Sequence, residues 1–286
     1  MRPSRYADPM RSIGILAFVL VLAGCFGGAR DDTAGTPTPT GPVYSSDASF
    51  DVNYNANQCR ELFVVKLVEF AQAQRNLPAG YKAKDAQGLL GLPIAAGRAA
   101  LWLNAATCSQ SEFAIGGIDE GGYGVYVDKP TVAGDRPAAD TDFYQFGRFT
   151  AKEEKLVMLR AVNYTVFEGS VDVTITPQAA GGAATAGGTV RNDEGARAFT
   201  MGGTAPASQP LKGRARFWHD TSNGTAYFDY VVDLSVSQGT GSCQVFEPAV
   251  RQKLGIETCG NDTLSLAFPP YKWEGKFTYL SDVHAT

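Results

Sequence analysis

The chain has 286 residues, 44% of them hydrophobic, and carries 25 basic against 29 acidic side chains for a net charge of −4. This length supplies a sizeable hydrophobic core, and the slightly acidic balance gives no basic surface of the kind that binds nucleic acid, so nucleic acid is not an expected partner. Charged residues make up only 19% and glycine is frequent (32 residues), which favours sheets and turns over helical bundles.

The N-terminal segment has the pattern of a signal peptide. Arg11 precedes an apolar run over residues 13–22 that is too short to span a bilayer, because a spanning helix needs about twenty residues. The run ends in Leu22-Ala23-Gly24-Cys25, which resembles the bacterial lipobox. That resemblance implies diacylglycerol on the Cys25 thiol and removal of residues 1–24. The alternative is an ordinary secretory signal that happens to contain a cysteine.

The segments on either side of the lipobox refine this prediction. Met10 is a better start than Met1, because Asp8 and two prolines are unusual in a positively charged leader. Residues 25–46 are rich in Gly, Thr and Pro, so we expect a flexible tether. The expected partner is a membrane held through the lipid, on the non-cytoplasmic side of the cell envelope. The residue after the cysteine is Phe26 rather than Asp, which by the sorting rule of enterobacterial lipoproteins permits the outer membrane, so we expect that membrane if the organism has one.

From about residue 57 the pattern is rich in strands. Turn signals such as Asn223-Gly224 separate β-branched and aromatic runs. The predicted strands are 61–68, 97–108, 112–115, 123–127, 142–149, 165–176, 213–220, 225–237, 263–268 and 272–280. The predicted helices are 69–77, 151–161 and 247–255, and the predicted turns and loops are 119–122, 129–141 and 178–189. These elements predict a mainly β (α+β) domain over residues 47–286. We expect a single curved antiparallel sheet, barrel- or cone-like, with about three short helices.

Four cysteines remain after Cys25: Cys59, Cys108, Cys243 and Cys259. An even number in an exported protein predicts two disulfides, for which three connectivities exist. Proximity in sequence favours Cys243–Cys259, which leaves Cys59–Cys108. A metal site is the alternative, but the chain has neither CxxC spacing nor interleaved histidines, so we expect none.

The sequence assigns no catalytic residue. Triad catalysis needs a histidine, and we expect His219 to be a partly exposed strand residue and His284 to lie in a frayed terminus. Two acidic pairs could serve acid–base or calcium chemistry but are explained by a solvated turn and a solvated helix face: Asp119 with Glu120, and Glu153 with Glu154. Three tryptophans could line a ligand pocket, although core packing is the favoured interpretation: Trp102, Trp218 and Trp273. No nucleotide or zincin motif is present, and we expect no cofactor.

One order of elements resembles the opening of acetoacetate decarboxylase-like proteins. The strand 64–68 leads into a helix ending Leu77-Pro78-x-Gly80-Tyr81, followed by Gly97-Arg98-Ala99 with a long apolar strand and then Tyr126-Val127. The resemblance implies a β-cone fold around a small-molecule cavity, and a lysine that forms a Schiff base with a keto acid in a Trp-Gly-Phe-Pro-Lys-Lys context. This chain has no such segment.

The chain after residue 142 offers Lys152 and Lys155 for that role. Both are expected on a helix surface beside Glu153 and Glu154, which do not favour a free amine. Our main hypothesis is therefore a lipid-anchored, non-catalytic envelope protein that binds a small or apolar ligand or an envelope partner. The first alternative is an acetoacetate decarboxylase-like lyase acting on a small keto acid, and the second is a purely structural surface lipoprotein.

Overall fold

The protein's structure, a computed structural model, describes residues 44–111, 119–132, 139–176 and 183–286. Within these residues there are ten strands and three α-helices. The strands are β1 (Phe50–Val68), β2 (Ala99–Ser111), β3 (Asp119–Tyr126), β4 (Thr141–Thr150), β5 (Val166–Glu168), β6 (Val171–Thr176), β7 (Ala184–Arg191), β8 (Arg197–Thr221), β9 (Gly224–Val245) and β10 (Thr263–Ser281). The helices are α1 (Phe70–Gln74), α2 (Glu153–Ala161) and α3 (Pro248–Leu254).

Some predictions lie outside the described residues. These are the signal peptide, Cys25, most of the tether, the strand at 112–115, and parts of the loops 129–141 and 178–189. No helix in the described part of the chain is long and apolar enough to cross a membrane.

All ten strands belong to one sheet, as predicted, in the order β5-β4-β3-β2-β1-β10-β9-β8-β7-β6. Residues Thr141–Tyr144 of β4 also pair with Ala215–Trp218 of β8, so the sheet curves back on itself into a ring. Most pairings are antiparallel, whereas β4 pairs in parallel with both β5 and β8. Closure through β4 leaves the ring strands with neighbours on both sides, which removes exposed strand edges.

The two faces of this ring carry different apolar clusters. Alternate residues of β2 belong to different clusters: Trp102 to one, and Leu101 and Leu103 to the other. This is expected because successive side chains along a strand point to opposite faces. We call the face with Trp102 the inner face and the face with Leu101 the outer face. The inner face also holds Met158 of α2, and the outer face holds Val250 of α3.

One disulfide lies in each cluster. The structure pairs Cys59 with Cys108 across β1 and β2 in the inner cluster. It pairs Cys243 with Cys259 in the outer cluster, where the bond closes the segment that contains α3. This is the connectivity that the sequence spacing favours.

Two glycine-rich segments predicted as a turn and a loop are strands instead. Residues 119–122 begin β3, and residues 184–189 lie in β7. The reason is close packing on the outer face: a Cβ on Gly121 would meet the Val190 side chain at 2.6 Å, and one on Gly188 would meet Ala105 at 3.2 Å. Glycine is found here because neighbouring side chains occupy the space that a Cβ would need, not because the chain turns.

Candidate functional site

A cavity of about 50 Å³ opens on the inner face. Strands β1, β2, β4, β8, β9 and β10 of the ring all contribute side chains to its wall. Most of the wall is aromatic: Phe63, Trp102, Phe143, Phe217, Tyr230, Phe268, Tyr271 and Trp273. Partly exposed Val232 stands at its rim. Concave apolar sites with a few polar groups are the usual form of a small-molecule site.

Glu61 is one polar group of this wall, and it is buried. Its Oε1 accepts a hydrogen bond from the Asn104 amide at 2.9 Å, and its Oε2 accepts one from the Tyr271 hydroxyl at 3.0 Å. Burial raises the pKa of the Glu61 carboxyl, while these two donors and the charge of Arg148 act in the opposite direction. Burial thus favours the protonated form of this carboxyl more than water does.

Arg148 supplies the positive charge of the wall and is only 3% exposed. Its Nη1 pairs with Glu120 Oε2 at 2.7 Å. Its Nη2 donates to Gln145 Oε1 at 2.9 Å and to the Tyr230 hydroxyl at 3.1 Å, and the guanidinium lies 3.7 Å from the centre of the Phe228 ring. A guanidinium held this rigidly is suited to bind a carboxylate.

Lys155 lies one ion pair behind the cavity wall. Its Nζ contacts Glu120 Oε1, so Glu120 bridges Lys155 and Arg148. Lys155 is 1% exposed, and burial lowers its pKa to about 7, against the opposing charge of Asp119. A lysine in this environment is a candidate nucleophile, because part of it is the free amine at neutral pH.

The prediction that Lys155 lies on a helix surface is wrong. Helix α2 buries Lys155, Met158 and Leu159, which share one face at the i, i+3, i+4 spacing, whereas Glu153 and Glu154 are exposed. The two glutamates therefore form a solvated face, as predicted, but they do not surround the lysine. The spacing of Lys155 with Met158 and Leu159 was the signal available in the sequence. Lys152 does lie near the surface, at 33% exposure, and pairs with Asp119 at 3.2 Å.

Glu120 was also predicted to be solvated, as part of a turn, and this is wrong. Because residues 119–126 form β3 rather than a turn, the Glu120 side chain is placed by the strand on the inner face, where it is 2% exposed. Its two oxygens are taken by Lys155 and Arg148.

A β-bulge brings two of the site residues to the same face. The register of β3 with β4 shifts between Tyr123 and Gly124, whose partners are Gly147 and Gln145. This inserts one residue in β4, so Gln145 and Arg148, three positions apart, both reach the inner face and hydrogen-bond to each other. A regular strand would place them on opposite faces.

Gly122 leaves room for this arrangement. A Cβ there would lie 2.5 Å from Gln145 Nε2 and 2.7 Å from Asn104 Oδ1. Only a residue without a side chain leaves the two amides where they are.

His219 is buried rather than partly exposed. Its Nε2 accepts the backbone N–H of Thr165 at 3.0 Å, its Nδ1 lies 2.7 Å from the Gln145 carbonyl oxygen, and its ring stacks on Tyr164 at 3.8 Å. Burial, and to a lesser extent the charge of Arg148, lower the pKa of His219 to about 4. The ring is therefore neutral at pH 7, donates through Nδ1 and has a structural role, because both nitrogens are occupied. His284 is exposed near the C-terminus.

Of the three tryptophans, two line the cavity and the third packs in the core. Trp102 and Trp273 are buried and line the cavity. Trp218 packs on the outer face, where its Nε1 donates to Asp142 at 2.8 Å. Among the described residues, no group of three or more His, Cys, Asp or Glu side chains could hold a metal ion.

Comparison with solved structures finds the same fold in acetoacetate decarboxylase-like proteins. The chain resembles the enduracididine biosynthesis enzyme MppR complexed with pyruvate, with a TM-score of 0.54 and 14% identity over 87% of this chain and 95% of that one. It also resembles an acetoacetate decarboxylase-like enzyme from Sphingomonas wittichii RW1, with a TM-score of 0.50 and 14% identity over 88% and 97% of the two chains. No protein-family model and no curated protein sequence matches the chain.

These comparisons correct the main functional hypothesis. A non-catalytic binding domain was predicted because the sequence shows no assembled catalytic set, but the proteins that share its fold are enzymes. The alternative of an acetoacetate decarboxylase-like lyase agrees better with the fold. The sequence did not group Glu61, Glu120, Arg148 and Lys155, because these four residues are distant along the chain and come from three strands and a helix.

Proposed function

We propose that the protein is an acetoacetate decarboxylase-like lyase in which Lys155 forms a Schiff base with a small oxo acid. One observation carries this proposal: buried Lys155 shares the carboxylate of Glu120 with Arg148, and Arg148 lines the cavity. A nucleophilic amine, a carboxylate-binding guanidinium and an apolar enclosure are the three elements that amine catalysis on an oxo acid requires.

The chemistry assigns a step to each group. The substrate carboxylate pairs with Arg148 in exchange for Glu120, and the free amine of Lys155 attacks the oxo carbon. A C–N bond forms and, with one proton taken up from solvent, the oxo oxygen leaves as water, giving an iminium. In a 3-oxo acid, the C–C bond to the carboxylate then breaks and carbon dioxide leaves. The electron pair of that bond forms a C=C bond while the C=N π electrons move to nitrogen, which gives a neutral enamine. The enamine carbon takes a proton, for which the Glu61 carboxyl is the source, and hydrolysis releases the ketone and restores Lys155.

The comparison adds support for the substrate class. The structure that shares the fold at a TM-score of 0.54 is complexed with pyruvate, a small oxo acid. The cavity of this protein has room for the carboxylate and the oxo carbon of such an acid.

Reductive trapping tests the proposal. Borohydride added with pyruvate or acetoacetate is expected to leave a stable adduct, located on Lys155 by peptide mass spectrometry. Lys155→Met is expected to abolish the adduct. Lys152→Met is the matched control and is expected to retain it, because Lys152 is partly exposed and pairs with Asp119. Unmodified Lys155 in the wild-type protein under both conditions would end the Schiff-base mechanism.

We also propose that the mature protein is a lipoprotein anchored through Cys25 to a membrane of the cell envelope, on its non-cytoplasmic side. The lipobox Leu22-Ala23-Gly24-Cys25 and the Gly/Thr/Pro-rich segment after it support this proposal. Radiolabelled palmitate is expected to label the protein in a bacterial host, and Cys25→Ser is expected to remove both the label and the membrane association. A wild-type protein that stays unlabelled would contradict it.

A further inference from the structure

We propose that this site takes oxo acids that carry a bulky apolar substituent, about the size of a phenyl ring, held at the mouth of the cavity by Leu90 and Leu211. The inference rests on the proposed function for the reacting group, and it adds which oxo acids are preferred. It comes from the size of the cavity, the chemistry of its rim and the conformation of Leu90.

The cavity itself has room only for the reacting end of a substrate. At about 50 Å³, it holds roughly four water-sized groups, which corresponds to a carboxylate with its oxo carbon. Because the polar groups Glu61, Asn104, Gln145 and Arg148 lie on this wall, the carboxylate end belongs inside. Any larger substituent has to extend through the mouth.

The mouth of the cavity is apolar. It is formed by four partly exposed side chains: Leu90, Leu211, Ala215 and Val232. The same four side chains border a second space of about 220 Å³, whose remaining lining includes the charged residues Asp140, Lys212 and Arg214. A substituent that packs against the four apolar side chains removes apolar surface from water, at roughly 25 cal/mol per Å², whereas a methyl group does not reach them.

Leu90 is held at the mouth in an unusual conformation. Its φ is 51°, in the left-handed region, between Gly88 and Gly91, each with a φ of 72°. Its carbonyl oxygen accepts a hydrogen bond from Gln238 of β9 at 3.3 Å. A leucine in this region is strained, and such strain persists where the surrounding structure fixes a residue at a binding site.

Carboxylic acids without an oxo group test this inference separately from Schiff-base formation. Propanoate and 3-phenylpropanoate cannot form an iminium, so their Kd values from calorimetry report the cavity and the mouth alone. In the wild-type protein, 3-phenylpropanoate is expected to bind at least tenfold more tightly than propanoate. Equal affinities would overturn the proposal.

Two substitutions to glycine test whether Leu90 causes the preference for 3-phenylpropanoate over propanoate. Leu90→Gly removes the side chain while keeping a backbone that glycine adopts readily, and it is expected to reduce the preference severalfold with propanoate affinity unchanged. Asp282→Gly is the matched control, since Asp282 also has a left-handed φ of 57° but lies near the C-terminus. An equal preference in both variants would overturn the role of Leu90. A phenyl preference without a borohydride adduct on Lys155 would support this inference and reject the Schiff base. A borohydride adduct on Lys155 without a phenyl preference would support the Schiff base and reject this inference.

Discussion

The two faces of the same sheet treat buried polar groups in different ways. On the outer face, Arg216 binds Asp229 at 2.7 Å and Asp142 accepts from Trp218 at 2.8 Å, and none of these four side chains lines the cavity. On the inner face they form a chain from Lys155 through Glu120 to Arg148, which ends on a cavity wall. A buried ion pair away from the cavity only balances its own charges, whereas the chain on the inner face places Arg148 where a ligand in the cavity can reach it. This difference supports the proposal that the reaction takes place on the inner face.

The largest expected effect comes from breaking one ion pair on each face. Arg148→Met and Arg216→Met each leave a carboxylate without its guanidinium, Glu120 and Asp229 respectively. Loss of one partner of a buried pair costs about 3–5 kcal/mol, so both variants are expected to unfold at lower urea concentration. Only Arg148→Met is expected also to lose carboxylate binding and borohydride trapping. Loss of trapping in Arg216→Met at a urea concentration where it is folded would contradict the division between the faces.

The next effect concerns the neutral histidine of the inner face. The pKa of His219 is lowered to about 4 in the folded protein, against about 6.5 in an unfolded chain. Between these two values the unfolded state binds a proton that the folded state does not, so stability falls as the pH falls from about 6.5 to about 4. The contribution is about 3 kcal/mol.

Urea unfolding at several pH values, compared between wild type and His219→Gln, measures that contribution. The variant is expected to lose less stability across this pH range, because it lacks the imidazole while its carboxyl groups are the same as in the wild type. Parallel pH profiles would mean that His219 is not the residue responsible.

Two glycine substitutions test whether the site depends on the space at Gly122. In Gly122→Ala the new Cβ would displace the amides of Gln145 and Asn104, with an expected cost of about 1–3 kcal/mol and weaker binding of carboxylates. Gly187→Ala in β7 is the matched control, because a Cβ there meets nothing within 4 Å. Calorimetric titration with 3-phenylpropanoate and urea unfolding measure both effects. Equal behaviour of the two variants would show that the space at Gly122 is not used by the site.

The sequence predicted the architecture better than the site, for a physical reason. Alternation, turn signals and cysteine proximity are local patterns, and they predicted the single strand-rich sheet, the three helices and the disulfide pairing that the structure has. The individual strands were predicted less well: the predicted strand 165–176 is two strands, β5 and β6, the predicted strands 263–268 and 272–280 are the single strand β10, and β7 was predicted as a loop. The bulge that brings Gln145 and Arg148 to one face depends on the register with β3, which is a long-range property. The burial of Glu120 depends in the same way on β3 being a strand, whereas Lys155 carried a local signal in its spacing with Met158 and Leu159.

The smallest expected effect is the pH dependence of trapping at Lys155. Burial lowers the pKa of this amine to about 7, so the reactive free amine is fully present above pH 7 and decreases about tenfold for each pH unit below it. With cyanoborohydride and a fixed concentration of pyruvate, the initial rate is expected to rise up to about pH 7 and then level off. Nα-acetyl-lysine under the same conditions is the reference, and its amine fraction continues to rise towards pH 10. A protein rate that rises in parallel with the reference up to pH 10 would mean that the amine that reacts is an ordinary exposed lysine rather than the buried one behind Arg148.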